Sequence, residues 1–186
     1  MELEEVMQTA KKLMLKYGSH PPTLIVETDE KLAMNVLDFF PDTTLEKKQL
    51  LFQIGHDLAM EQDIEAKDVT QLTWIAEAWF SQVKKEDYNP QKHGRPSQDP
   101  NRREGLLVMT LIIKDKKLTQ TMQMAEVIRH GNILDLAPLG EKPDVVQSGF
   151  LTSALAGICA AALDEETLTE LLREAMKDAI GQEPHG

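Results

Sequence analysis

A single cysteine, Cys159, serves the whole chain, which excludes an intramolecular disulfide. It falls in an apolar helical pattern, so a small buried side chain is expected there and not a nucleophile. Positive charge is short as well. Against 31 Asp and Glu there are 20 Lys and Arg, for a net charge of −11. A chain of that sign lacks the positive potential that general nucleic-acid binding, or adhesion to an anionic membrane, needs. Signature motifs are missing too: no HExxH, no pair of CxxC motifs, no GxxxxGKS/T, no GxGxxG and no GxSxG. Their absence counts against zincin, paired-thiolate zinc, P-loop, dinucleotide and nucleophile-elbow chemistry. None of the histidines, His20, His56, His93, His130 and His185, has a second histidine at ligand spacing. No metal and no cofactor is therefore expected.

One long run lacks charge, Val145 to Leu163, at 19 residues. That length can span a bilayer. Gln147, Ser148, Thr152 and Ser153, with Ala and Gly through the rest, predict instead a buried, closely packed core helix. The opening MELEEVMQTAKK is acidic and helical, so no signal peptide is expected. With one cysteine and no leader, a cytoplasmic setting without membrane contact is the simplest reading.

The 186 residues fit one domain, with 41% hydrophobic and 27% charged residues. Leu3, Val6, Met7, Ala10, Leu13, Met14 and Tyr17 recur at spacings of three and four and predict a first helix over 2–17. Gly18 stops it, and Pro21-Pro22 forces an extended course. A hairpin follows, with strands over 23–28 and 31–39. Thr43 and Glu46 form a capping box for a helix over 44–62. Leu51, Ile54, Gly55, Leu58 and Ala59 make its inner face, with Gly55 placed for close backbone approach. Strands are expected over 69–83, 105–114 and 117–129, the last two joined by a tight turn at Asp115-Lys116. A loop through Pro138 and Pro143 leads to the small-residue helix. Asp164 then caps an amphipathic helix carrying Leu168, Leu171, Leu172, Ala175, Met176, Ala179 and Ile180. The tail 182–186 reads as frayed.

The expected fold is α+β, in the order α-β-β-α-β-β-β-α-α. An antiparallel sheet of about five strands, a hairpin plus a three-strand meander, packs with four helices. The order of elements is similar to that of roadblock/profilin-like domains. That resemblance implies a dimeric interaction platform, and it rests on element order alone.

Residues 84–104, KKEDYNPQKHGRPSQDPNRRE, interrupt the strands with a polar insertion lacking Val, Ile, Leu, Met and Phe. It carries six Lys/Arg against four Asp/Glu, in a chain otherwise acidic on both sides of it. Lys92, His93, Arg95, Arg102 and Arg103 are its candidate anion- or partner-binding residues. Solvation of a flexible loop is the competing account of the same charges.

The strands that flank it are apolar on both faces, which requires cover on both, by helices or by a second subunit. Trp79, Val108 and Ile112 are the candidate oligomer contacts, and self-association is expected. Glu77, between Ile75 and Trp79, reads either as a paired carboxylate or as a desolvated acid with a raised pKa. The methionines at 7, 14, 34, 109, 122, 124 and 176 read as adaptable core filling. His56 reads as a boundary residue and His20 as loop structure. The leading expectation is a non-enzymatic binding or scaffold protein, homo-oligomeric, with a possible protein partner. The alternative is a small enzyme for an anionic substrate, with the 84–104 loop over a site that joins Glu77, His93 or His130 and an arginine.

Overall fold

A computed structural model of the chain describes residues 2–80, 99–115, 117–130, 133–139 and 149–161. The chain is α+β: three helices and a six-stranded antiparallel sheet among these residues. Helix α1 is Leu3–Tyr17, strands β1 and β2 are Thr23–Thr28 and Leu32–Val36, and helix α2 is Thr44–Gln62. A short 3-10 turn, Ala66–Asp68, leads into β3, Val69–Phe80. Strands β4, Arg103–Lys114, β5, Lys117–His130, and β6, Ile133–Pro138, complete the sheet, and helix α3 is Phe150–Ala160. The strands lie side by side in the order β2-β1-β3-β4-β5-β6.

Local chemistry sets these boundaries. Gly18 takes the left-handed conformation at φ 82 and closes α1, its N–H bonded to the Met14 carbonyl at 2.7 Å. Thr43 caps α2 by accepting the Glu46 N–H at 3.3 Å, while its hydroxyl donates to the Glu46 carboxylate at 2.6 Å. Asp115, at φ 50, turns β4 into β5. The expected strand count was one short. Residues 133–138, read as loop because of Pro138, pair with β5 from Ala125 to His130. An edge strand tolerates a proline that a central strand would not.

The sheet is covered on both faces by helices of its own chain. On one face, Leu24, Val26, Leu72, Trp74, Met109 and Leu111 pack under α2 and α3. Phe40 lies against Trp74 with ring centroids 4.7 Å apart. Gly55 on α2 and Gly157 on α3 let the two helices touch: a methyl on Gly55 would collide with the Ala154 carbonyl, and one on Gly157 with the Phe52 carbonyl. On the other face, Val6, Met7, Ala10 and Met14 of α1 pack on Ile25, Ile75, Leu106, Val108, Ala125 and Val127.

Two side chains expected in the core are exposed. Cys159 is exposed, not buried. Helix α3 is apolar apart from Thr152 and Ser153 in its first turn, so hydrophobicity alone does not mark its inner face, which is Leu151, Ala154, Gly157, Ile158 and Ala160. Met34 is also exposed, because it sits on β2 at the sheet edge. No helix among the described residues is long and apolar enough to cross a membrane. The final helix expected after Asp164 and the tail 182–186 lie outside the described residues.

Candidate functional site

Two features of the α1 face stand out, a charged cluster at one end of α1 and an apolar groove along its side.

The cluster gathers Glu77 of β3, Glu104 of β4 and Arg129 of β5. Arg129 grips Glu104 with two bonds, Nε to Oε2 at 2.8 Å and Nη2 to Oε1 at 2.5 Å. Its Nη1 donates to the Gly18 carbonyl at 2.9 Å, and Nη2 lies 3.5 Å from Glu77 Oε2. Glu77 Oε1 accepts the His20 peptide N–H at 2.5 Å. A cation at the carbonyl end of a helix is also favoured by the helix dipole. Burial pushes the Glu77 carboxyl above its ordinary value, and the nearby Glu104 carboxylate adds to that, against the lowering effects of the His20 N–H and Arg129. Glu104 is held below its ordinary value, chiefly by its hydrogen bonds from Arg129.

Glu77 and an arginine therefore do meet, as the enzyme alternative requires. His130 is the sequence neighbour of Arg129 on β5 and so points to the opposite face of the sheet. His93 lies outside the described residues. The guanidinium is bonded in three directions to groups of its own chain, so an anion would have to displace a carboxylate to reach it. The cluster works as a clasp. It joins the end of α1 to three strands, while Gln123 Nε2 on β5 holds the start of α1 through Glu4 at 3.0 Å.

These two ties fix α1 over β4, β5 and β6 and leave a groove of about 950 Å³ on its other side. The floor is Ile25, Met34, Val36 and Ile75, and α1 supplies Leu13 and Tyr17 as a wall. Tyr17 is 65% exposed, Met34 58% and Val36 50%. The apolar stripe of α1 read from sequence is thus wider than the surface that covers it. Val6, Met7, Ala10 and Met14 face the sheet, and Leu13 and Tyr17 face the groove. Glu4 and Glu5 border the groove at one end of α1, and Lys12 lies two turns on.

The residues singled out from sequence are scattered by comparison. Lys92, His93 and Arg95 lie outside the described residues. Arg102 sits over the Trp79 ring, 4.9 Å from its centroid, and Trp79 is 48% exposed. Arg103 pairs with Glu126 at 2.9 Å and lies over Phe80. Val108 is sealed beneath α1 and cannot meet a second subunit, whereas Ile112 is partly exposed. His20 is buried in the turn before β1, its Nδ1 2.8 Å from the Pro21 carbonyl. His56 is half-buried, 3.2 Å from Asp57. No group of metal-ligating side chains occurs among the described residues.

The groove has a signal in the sequence. The β2 residues Leu32, Met34 and Val36 alternate with Ala33 and Asn35, and by register all three sit on the α1 face. No family model, no curated protein and no solved structure matches the chain. The likeness of element order to roadblock/profilin-like domains thus carries no further argument.

Proposed function

We propose that the protein is a non-enzymatic binding module whose working surface is the groove beside α1, and that the occupant is an amphipathic helix of a protein partner. The unequal cover of the two sheet faces supports this most directly. A six-stranded sheet is about 24 Å wide, at about 4.8 Å per strand spacing. A packed helix takes up about 10 Å of that width. Among the described residues the α2–α3 face has two helices and the opposite face has one. The width that the described helices leave uncovered on that face is about that of one helix, and the groove occupies it. An apolar floor with a charged border is the surface on which helix-in-groove recognition works. The border charges call for a helix that places basic residues near Glu4 and Glu5 and an acidic one near Lys12.

Photo-crosslinking tests this. A photoreactive residue at Leu13 or Tyr17 should give adducts to a partner protein. The crosslinked partner residues should recur at spacings of three and four, on the apolar side of a helix. The same group at Leu118, exposed on the opposite face of the sheet from α1, is the control. Equal adducts at Leu118, or partner residues without helical spacing, would overturn the reading.

A further inference from the structure

We infer that strand β2 pairs with β2 of a second copy about a two-fold axis at Met34, joining two sheets into one. The inference goes beyond the groove reading and holds whatever the groove contains. It begins with the two edges of the sheet, β2 and β6. Strand β6 is protected: it ends in Pro138, and Asp135 is exposed with its carboxylate on the Leu136 N–H at 2.8 Å. Charge and proline are the usual defences of an edge. Strand β2, LAMNV, has neither.

The backbone of β2 is set for pairing. Lys31 gives its carbonyl to the Thr28 N–H at 2.9 Å, and Leu37 gives its N–H to the Pro22 carbonyl at 2.8 Å. Residues 31 and 37 thus turn their peptide groups towards β1, and by alternation so do 33 and 35. The N–H and C=O groups of Leu32, Met34 and Val36 then face outwards. A two-fold axis at Met34 sets Met34 opposite its own copy and Leu32 opposite Val36. In each such pair both N–H groups donate to the opposite carbonyl, giving about six hydrogen bonds across the contact. No charged residue lies between 32 and 36, so no like charges are opposed within the strand.

The side chains agree with the backbone. Leu32, Met34 and Val36 are all exposed and share the α1 face. Two copies would form one apolar ribbon from six of them and bring their grooves side by side on one face of a continuous sheet. An axis on Ala33 or Asn35 would align fewer outward peptide groups. The contact is short, so the dimer should dissociate at roughly micromolar concentration.

Sedimentation and native mass spectrometry of the full chain across that range provide the test. The wild type is expected to pass from monomer to dimer. Met34→Lys should weaken dimerisation by about tenfold or more, because two like charges would meet on the axis. Its circular dichroism should stay unchanged. Met34→Pro, which removes an outward N–H, should act the same way. Amide exchange adds a positional readout: protection at Leu32, Met34 and Val36 should rise with protein concentration, while Ala33 and Asn35, already bonded to β1, should not change. A wild type that stays monomeric at 100-fold above this range would overturn the inference and leave the crosslinking result untouched. A dimer that persists unweakened in Met34→Lys would place self-association on another surface and equally overturn it.

Discussion

Arg129 commits its guanidinium to Glu104, to Gly18 and, at longer range, to Glu77, so the two carboxylates beside it feel opposite pressures. Glu104, held below its ordinary value, contributes stability that is present above that value and is lost as pH falls through its folded pKa. Glu77, raised, contributes stability that is present below the ordinary value and is lost as pH rises through its folded pKa. The two substitutions should therefore diverge. Glu77→Gln keeps an oxygen for the His20 N–H and removes a desolvated charge, so at neutral pH it should leave the unfolding midpoint unchanged or raise it. Glu104→Gln removes the main partner of Arg129 and should cost about 1 kcal/mol, less than a buried charged hydrogen bond because Arg129 is partly in water. Urea unfolding of both variants from pH 4 to pH 8 measures this, and a Glu77→Gln variant less stable than Glu104→Gln at neutral pH would contradict it. Sequence marked Glu77 as unusual but supplied neither partner. Glu104 lies across the insertion, and it meets Glu77 only diagonally, since the register sets Glu104 opposite Trp79.

Elements whose signals are local were readable, and those defined by their neighbours were not. Helix α2 has the expected limits and the expected inner face, because a capping box and a 3.6-residue period lie within its own sequence. Thr43→Ala should lower stability by about 1 kcal/mol through loss of that cap. The close approach expected of Gly55 is met by a reciprocal glycine, Gly157, on α3. The obstacle at each is a backbone carbonyl, which cannot swing aside as a side chain can. Gly55→Ala should cost about 1–3 kcal/mol of overpacking, more than helix propensity returns. Denaturant midpoints of the single and double alanine variants measure it, with non-additive losses expected across one contact. Strand β6 and the exposure of Cys159 were not legible for a shared reason. Pairing to β5 decides the first and docking on α2 the second, and neither is recorded in the segment itself.

At the scale of the molecule, unlike cover of the two sheet faces by the described helices ties these observations together. The polar insertion carries the candidate anion-binding residues, yet the apolar residues on β2 and along α1 form the more coherent surface. Tyr17 and Leu13 belong to a regular helical stripe, and in sequence such a stripe reads as core. Position separates them: clamps at Gln123 and Arg129 seat α1 on β4 to β6, and the outer half of its stripe borders the groove and stays exposed. A double substitution, Leu13→Ser with Tyr17→Ser, distinguishes the two roles. Both side chains are exposed, so folding stability should change by about 0.5 kcal/mol or less per site. An apolar fluorescent dye such as anilinonaphthalene sulfonate should brighten with the wild-type protein and much less with the variant, because the groove loses one wall. Were the two residues core, truncating them would cost several kcal/mol. A large loss of stability with unchanged dye binding would thus show that the helix buries its whole stripe in solution, and the groove reading would fall with it.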